Sequence, residues 1–76
     1  MKVLVATQKP FAPVAVEGIR EIVEKAGYEF ALLEKYPGEA ELAAAAADAD
    51  ALIVRSDKVT AAVLEAAPKL RIVVRA

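Results

Sequence analysis

The sequence predicts an α/β fold: a parallel β-sheet wound with helices on both faces, in the order β-α-β-α-β-α-β. Three observations carry that prediction. Four short apolar runs rich in β-branched residues alternate with three stretches of helical periodicity. The segments between the runs are long enough for crossovers, which parallel strands need, and too long for tight hairpins. The composition, 58% hydrophobic and 28% charged over 76 residues, suits one small globular unit and leaves no stretch that reads as a disordered linker.

The first strand spans Val3 to Thr7, continuously apolar up to its last residue, as expected when both faces are covered. Gln8-Lys9-Pro10-Phe11 is a loop. Pro13 opens a helix, where its missing N–H costs nothing. In that helix Ala15, Ile19, Ile22, Val23 and Ala26 recur at helical spacing, and Glu21 and Lys25 stand at the favourable i,i+4 spacing for an ion pair. Gly27 closes it as a left-handed cap. Tyr28 to Leu33 is the second strand, and Pro37-Gly38 ends the following loop. Glu39 and Glu41 enter the next helix, where the macrodipole favours acids. This helix runs through the alanines 43–47 to about Asp48, because Ala is the best helix former. Ala51 to Val54 is the third strand. Thr60 caps a short third helix that Pro68 stops, and Arg71 to Ala76 is the fourth strand.

Two doubly wound strand orders fit this pattern, a flavodoxin-like 2-1-3-4 and a Rossmann-like 3-2-1-4, and periodicity does not separate them. Open α/β sheets bind ligands outside the carboxyl ends of the strands, where the order reverses. In the 2-1-3-4 order the first and third strands flank that point. Thr7, Gln8 and Lys9 then leave the first strand there, and Arg55, Ser56, Asp57 and Lys58 leave the third. Arg75 lies near the end of the fourth strand, beside Arg55. A chain of net charge −1 thus gathers Lys9, Arg55, Lys58 and Arg75 along one edge. Guanidinium forks match carboxylate and phosphate bidentately, and the Ser56 hydroxyl adds a donor, so a small anionic substrate fits. Charged residues at strand exits are also commonly plain solvated loop ends, and Lys9 and Lys58 are the weakest candidates. Arg55 is stronger, since it follows directly on the apolar Leu52-Ile53-Val54.

Other chemistries are poorly served. The chain has no His and no Cys, which excludes imidazole acid–base work, thiol nucleophiles, disulfides and the usual zinc ligands. Its glycines are Gly18, Gly27 and Gly38, none directly after a strand, so the dinucleotide-binding glycine fingerprint is missing. A sequence pI near 5.4 gives no basic footprint for nucleic acid. No apolar stretch approaches the ~18 residues of a membrane span. A strand opens within two residues of Met1 with no leader before it, and a cytoplasmic protein is expected.

Leu52-Ile53-Val54-Arg55-Ser56, then Lys58-Val59-Thr60, then the stretch from Val63-Leu64-Glu65-Ala66-Ala67-Pro68-Lys69-Leu70 to Arg71-Ile72-Val73-Val74-Arg75-Ala76, resembles the D-isomer 2-hydroxyacid dehydrogenases, in particular their phosphoglycerate-oxidising branch. The resemblance covers the whole chain in architecture and about its last third in close wording. It implies a flavodoxin-like substrate-binding (lid) domain of order 2-1-3-4. It also implies oxidation of 3-phosphoglycerate with NAD as cofactor, in serine biosynthesis. Arg55, Ser56 and Arg75 match positions on the substrate side of the cleft, with Lys58 beside them. One departure stands between Ser56 and Lys58, where the family carries two residues and this chain has only Asp57. The family's catalytic arginine, its glutamate–histidine pair and its glycine fingerprint fall beyond the matched stretch. The pattern also continues past Ala76, so the resemblance implies a truncated piece of that domain, inactive and binding no NAD by itself.

A rival reading is a stand-alone structural α/β unit that self-associates. A receiver domain of the phosphorelay type shares the fold, but it needs an acidic pocket where this chain has Lys9 and Arg55. In the 2-1-3-4 order one helix cannot cover four strands, and the fourth strand is an open edge. A homo-oligomer through that edge and the bare face is therefore expected.

Overall fold

The computed structural model describes residues 1–8, 12–55 and 59–75. Its elements follow the predicted alternation: β1 (Lys2–Thr7), α1 (Pro13–Lys25), β2 (Glu29–Glu34), α2 (Glu39–Ala46), β3 (Ala51–Val54), α3 (Ala61–Glu65) and β4 (Ile72–Arg75). All strand pairings are parallel, and the order is β2-β1-β3-β4. That is the flavodoxin-like order, not the Rossmann-like one.

Hydrophobicity decides which strand takes which place. The apolar β1 and β3 fill the centre, with Val5, Ala6, Leu52 and Val54 fully enclosed. The outer strands carry charge at their ends: Glu29 and Glu34 on β2, Arg75 on β4. Pairing register then assigns the faces. Leu4, Ala6, Leu52 and Val54 pack with Leu42 and Ala46 of α2 and Val63 of α3. Val3 and Ala51 pack on the other face with Val23 and Ile19 of α1. Right-handed crossovers place the three helices in this way.

Several boundaries differ from the sequence-based expectation. β2 is shifted by one residue toward the carboxyl end, because the Glu29 N–H joins the sheet by donating to the Met1 carbonyl at 2.9 Å. α2 ends at Ala46, and Asp48 lies beyond it, paired with Lys2. β4 covers Ile72–Arg75, while the Arg71 N–H donates to the Asp50 carbonyl at 2.8 Å. On α1 the ion pair that forms is Arg20–Glu17 at 3.5 Å, not Glu21–Lys25. Exposed pairs gain too little in water to fix two long side chains, so favourable spacing alone does not produce contact.

The caps fall where expected. Gly27 has φ +81°, the left-handed value that glycine adopts without strain. Thr60 Oγ1 accepts from the Val63 N–H at 3.4 Å, and Pro68 follows the end of α3. Among the described residues no helix is long and apolar enough to cross a membrane.

Candidate functional site

The carboxyl ends of the four strands form one rim. Thr7 ends β1 and is completely buried, with Gln8 just beyond it and exposed. Register puts Glu34 of β2 level with Thr7, Val54 level with Ala6, and Arg75 level with Val54. Arg55, the next residue of the β3 chain, therefore stands one step beyond Arg75 on the adjacent strand. Both arginines are exposed. Two of the four substrate-side residues read from sequence are thus neighbours. Ser56 and Lys58, like Lys9 and Asp57, lie outside the described residues.

Three contributors to this rim were not legible in the sequence. Lys35 follows β2 in a left-handed conformation, φ +57°, and its N–H donates to the Thr7 carbonyl at 3.1 Å. That bond ties the exits of β1 and β2 together. The left-handed state favours glycine, so a lysine gives no sequence signal for it. Tyr36, next along the chain, is buried with the α2 and α3 cluster. The third contributor is acidic. Glu39, the first residue of α2, accepts a hydrogen bond from Thr60 Oγ1 at 2.7 Å. With Glu34 it gives the rim negative as well as positive charge, so the edge is mixed and not uniformly cationic.

The opposite pole, at the amino ends of the strands, is an ordinary structural surface. There the Lys2 N–H donates to Asp50 Oδ2 at 2.7 Å and Lys2 Nζ to Asp48 Oδ1 at 2.8 Å. The hydrogen bond from Lys2 holds the Asp48 carboxyl below its ordinary value, against the opposing effect of desolvation. Among the described residues no cluster of three acidic, His or Cys side chains could hold a metal ion. Arg55 and Arg75 are the two arginines that the rim brings to adjacent strand ends.

The family profile described as D-isomer specific 2-hydroxyacid dehydrogenase, catalytic domain, matches residues 3–76. The chain belongs to that family. Comparison with solved structures agrees. The fold superposes with a TM-score of 0.96 on the crystal structure of NAD+-bound 3-phosphoglycerate dehydrogenase from Entamoeba histolytica, with 49% sequence identity over 99% of this chain. The match spans 25% of that dehydrogenase's length. A comparison with curated protein sequences returns no match. Within the dehydrogenase family, then, this chain corresponds to a segment of α/β architecture that carries a strand-end rim.

Proposed function

We propose that the chain is part of the substrate-binding domain of an NAD-dependent 3-phosphoglycerate dehydrogenase, supplies the substrate-side rim of its cleft, and is inactive alone. The 49% identity with the Entamoeba enzyme over 99% of the chain supports this most directly. Arg55 and Arg75 at adjacent strand ends are the physical counterpart: each can offer a guanidinium fork to a phosphate or carboxylate at that edge. Ser56 and Lys58 are assigned to the same rim by sequence. NAD is the cofactor of the whole enzyme, held by a part this chain does not contain.

The test is a graft. Replacing the matching quarter of the Entamoeba enzyme with these 76 residues should preserve NADH formation from 3-phosphoglycerate, and Arg55→Ala in the graft should raise KM. A folded graft without activity, or one indifferent to Arg55→Ala, counts against the assignment. The isolated chain should form no NADH and should bind 3-phosphoglycerate only at about millimolar Kd, roughly −4 kcal/mol.

Exposed apolar surface supports self-association as a second property of the isolated chain. Ile72, Val73 and Val74 on the edge strand are 54%, 39% and 44% exposed. Register with Ala51 and Ile53 puts Ile72 and Val74 on the α1 face, where no helix lies over them. A second copy pairing through β4 would cover both the edge and that patch.

A further inference from the structure

We infer that the sheet extends from copy to copy, with β4 of one molecule lying parallel beside β2 of the next; the inference rests on the self-association reading above and names the surface that β4 takes as its partner. In the order β2-β1-β3-β4 the two outer strands leave two open edges among the described residues. β2 runs Phe30-Ala31-Leu32-Leu33 between Glu29 and Glu34. β4 runs Ile72-Val73-Val74 up to Arg75, with Arg71 just before it. Both edges are thus apolar in the middle, one with acidic ends and the other with basic ends. Charged ends ordinarily blunt an edge against copies of itself. Opposite signs on the two edges of one sheet add an attraction: each edge repels its own kind and draws the other.

Register sharpens the match. Phe30, Val3, Ala51 and Ile72 form one row across the sheet. One residue earlier the row is Glu29, Lys2, Asp50 and Arg71, closed by the Arg71 N–H on the Asp50 carbonyl at 2.8 Å. A copy moved sideways along these rows, with no slip along the strands, sets Glu29 opposite Arg71, Phe30 opposite Ile72, Ala31 opposite Val73 and Leu32 opposite Val74. Side chains alternate between faces, so each residue then meets one of its own face. Phe30 packs on the α1 side, where register also puts Ile72, and Ala31 packs on the α2–α3 side with Leu52, the partner of Val73. Leu32 and Val74, 38% and 44% exposed, would cover each other. Glu29 and Arg71 are exposed, and neither is in an ion pair among the described residues.

Pairing β4 with a second β4 is poorer. Antiparallel and centred on Val73, it sets Arg71 against Arg75 twice, and an offset that avoids this leaves part of a four-residue strand unpaired. A β4–β2 contact is also heterologous, using different surfaces on the two copies, so every addition leaves one open β2 edge and one open β4 edge. Strand twist of roughly 20–25° turns successive copies and gives an open helical ribbon, not a closed dimer.

The experiment is sedimentation of the 76-residue chain over a concentration series, alongside Arg71→Glu, Glu29→Arg and an equimolar mixture of those two variants. Wild type should pass twice the 8.0 kDa of one chain, with the mass still rising at the highest concentration. Each variant alone sets like charges across the contact and should weaken association roughly tenfold, the size of exchanging an attractive cross-strand pair for a repulsive one. The mixture should recover wild-type association, because each altered edge then faces an opposite charge on the other variant. A plateau at twice the single-chain mass, with Glu29→Arg indistinguishable from wild type, overturns the inference and leaves association through β4 standing. A mixture no better than its components overturns it as well. Wild type that stays monomeric at every concentration refutes the self-association reading itself, and the inference with it.

Discussion

Lys35 sits at φ +57°, where a side chain costs roughly 1–2 kcal/mol and glycine costs almost nothing. The conformation persists because it lets the Lys35 N–H reach the Thr7 carbonyl. Lys35→Gly should therefore stabilise the chain by about 0.5–1 kcal/mol after the extra chain entropy of glycine is subtracted. A higher urea midpoint with an unaltered slope is the expected reading, and a lower midpoint would mean the lysine side chain contributes more than the strain. At the other pole, Asp48 titrates below its ordinary value of 3.8 because Lys2 Nζ donates to it. A depressed carboxylate stabilises the fold above the unfolded-state value, and that contribution fades as pH falls through the folded-state value. The stability difference between wild type and Lys2→Met should thus be full above about pH 5 and shrink as pH drops below 3.8. Melting curves across that range check it; a difference independent of pH would show that Lys2 acts by packing alone.

At the scale of elements, α2 is instructive because its composition is nearly uniform. Glu39-Ala40-Glu41-Leu42-Ala43-Ala44-Ala45-Ala46 has strong helix propensity but only one large apolar side chain. Leu42 is 1% exposed and meets the core formed by Leu52, Val54 and Val63, so the docking of the whole helix turns on it. Leu42→Ala should cost about 2–5 kcal/mol, a large share of the stability available to a domain of this size. Loss of the cooperative thermal transition is the expected result; a retained transition within a few degrees of wild type would show that the alanines dock the helix unaided. α1 is held less firmly. Val23 is its one buried residue, while Val14 and Ile22 are 80% and 72% exposed. Arg20 lies over the Phe30 ring at 5.2 Å and adds a cation–π contact to β2 at that margin.

For the molecule as a whole, coverage of the sheet is unequal. Two helices pack on one face, and on the other α1 leaves Ile72 and Val74 in solvent. Apolar edge strands with unpaired backbone groups recruit other chains. Arg75 at the end of β4 and Arg71 before it set like charges opposite each other in an in-register pairing, so an offset antiparallel arrangement is favoured. Sedimentation or small-angle scattering at tens of micromolar should show a dimer or larger species. Val74→Lys, placing charge in the patch, should return the chain toward the 11.5 Å radius of gyration of the single molecule. A wild-type chain that stays monomeric at that concentration would refute association through β4.

Much of the fold was legible from short-range pattern. Uninterrupted apolar runs marked β1 and β3, helical spacing marked α1, and Gly27 and Thr60 marked ends where local chemistry permits little else. The neighbourhood of Arg55 and Arg75 was legible at one remove, since strand ends of a parallel sheet gather at one rim once the order is known. The order itself was left open by periodicity, which is blind to which strand lies beside which; the family wording supplied it, and the pairings show it. What the sequence by itself determined is therefore what depends on neighbours along the chain, the elements and their caps, whereas the apolar faces came out narrower than their spacing, with Ile22 of α1 72% and Leu64 of α3 48% exposed. Tertiary structure alone decided the left-handed Lys35, the pairing of Lys2 with Asp48 and the bond from Thr60 to Glu39. These join residues separated by 21 to 46 positions, or tie a local strain to a distant carbonyl. No local preference encodes such contacts, because they exist only after the sheet has brought its strand ends together.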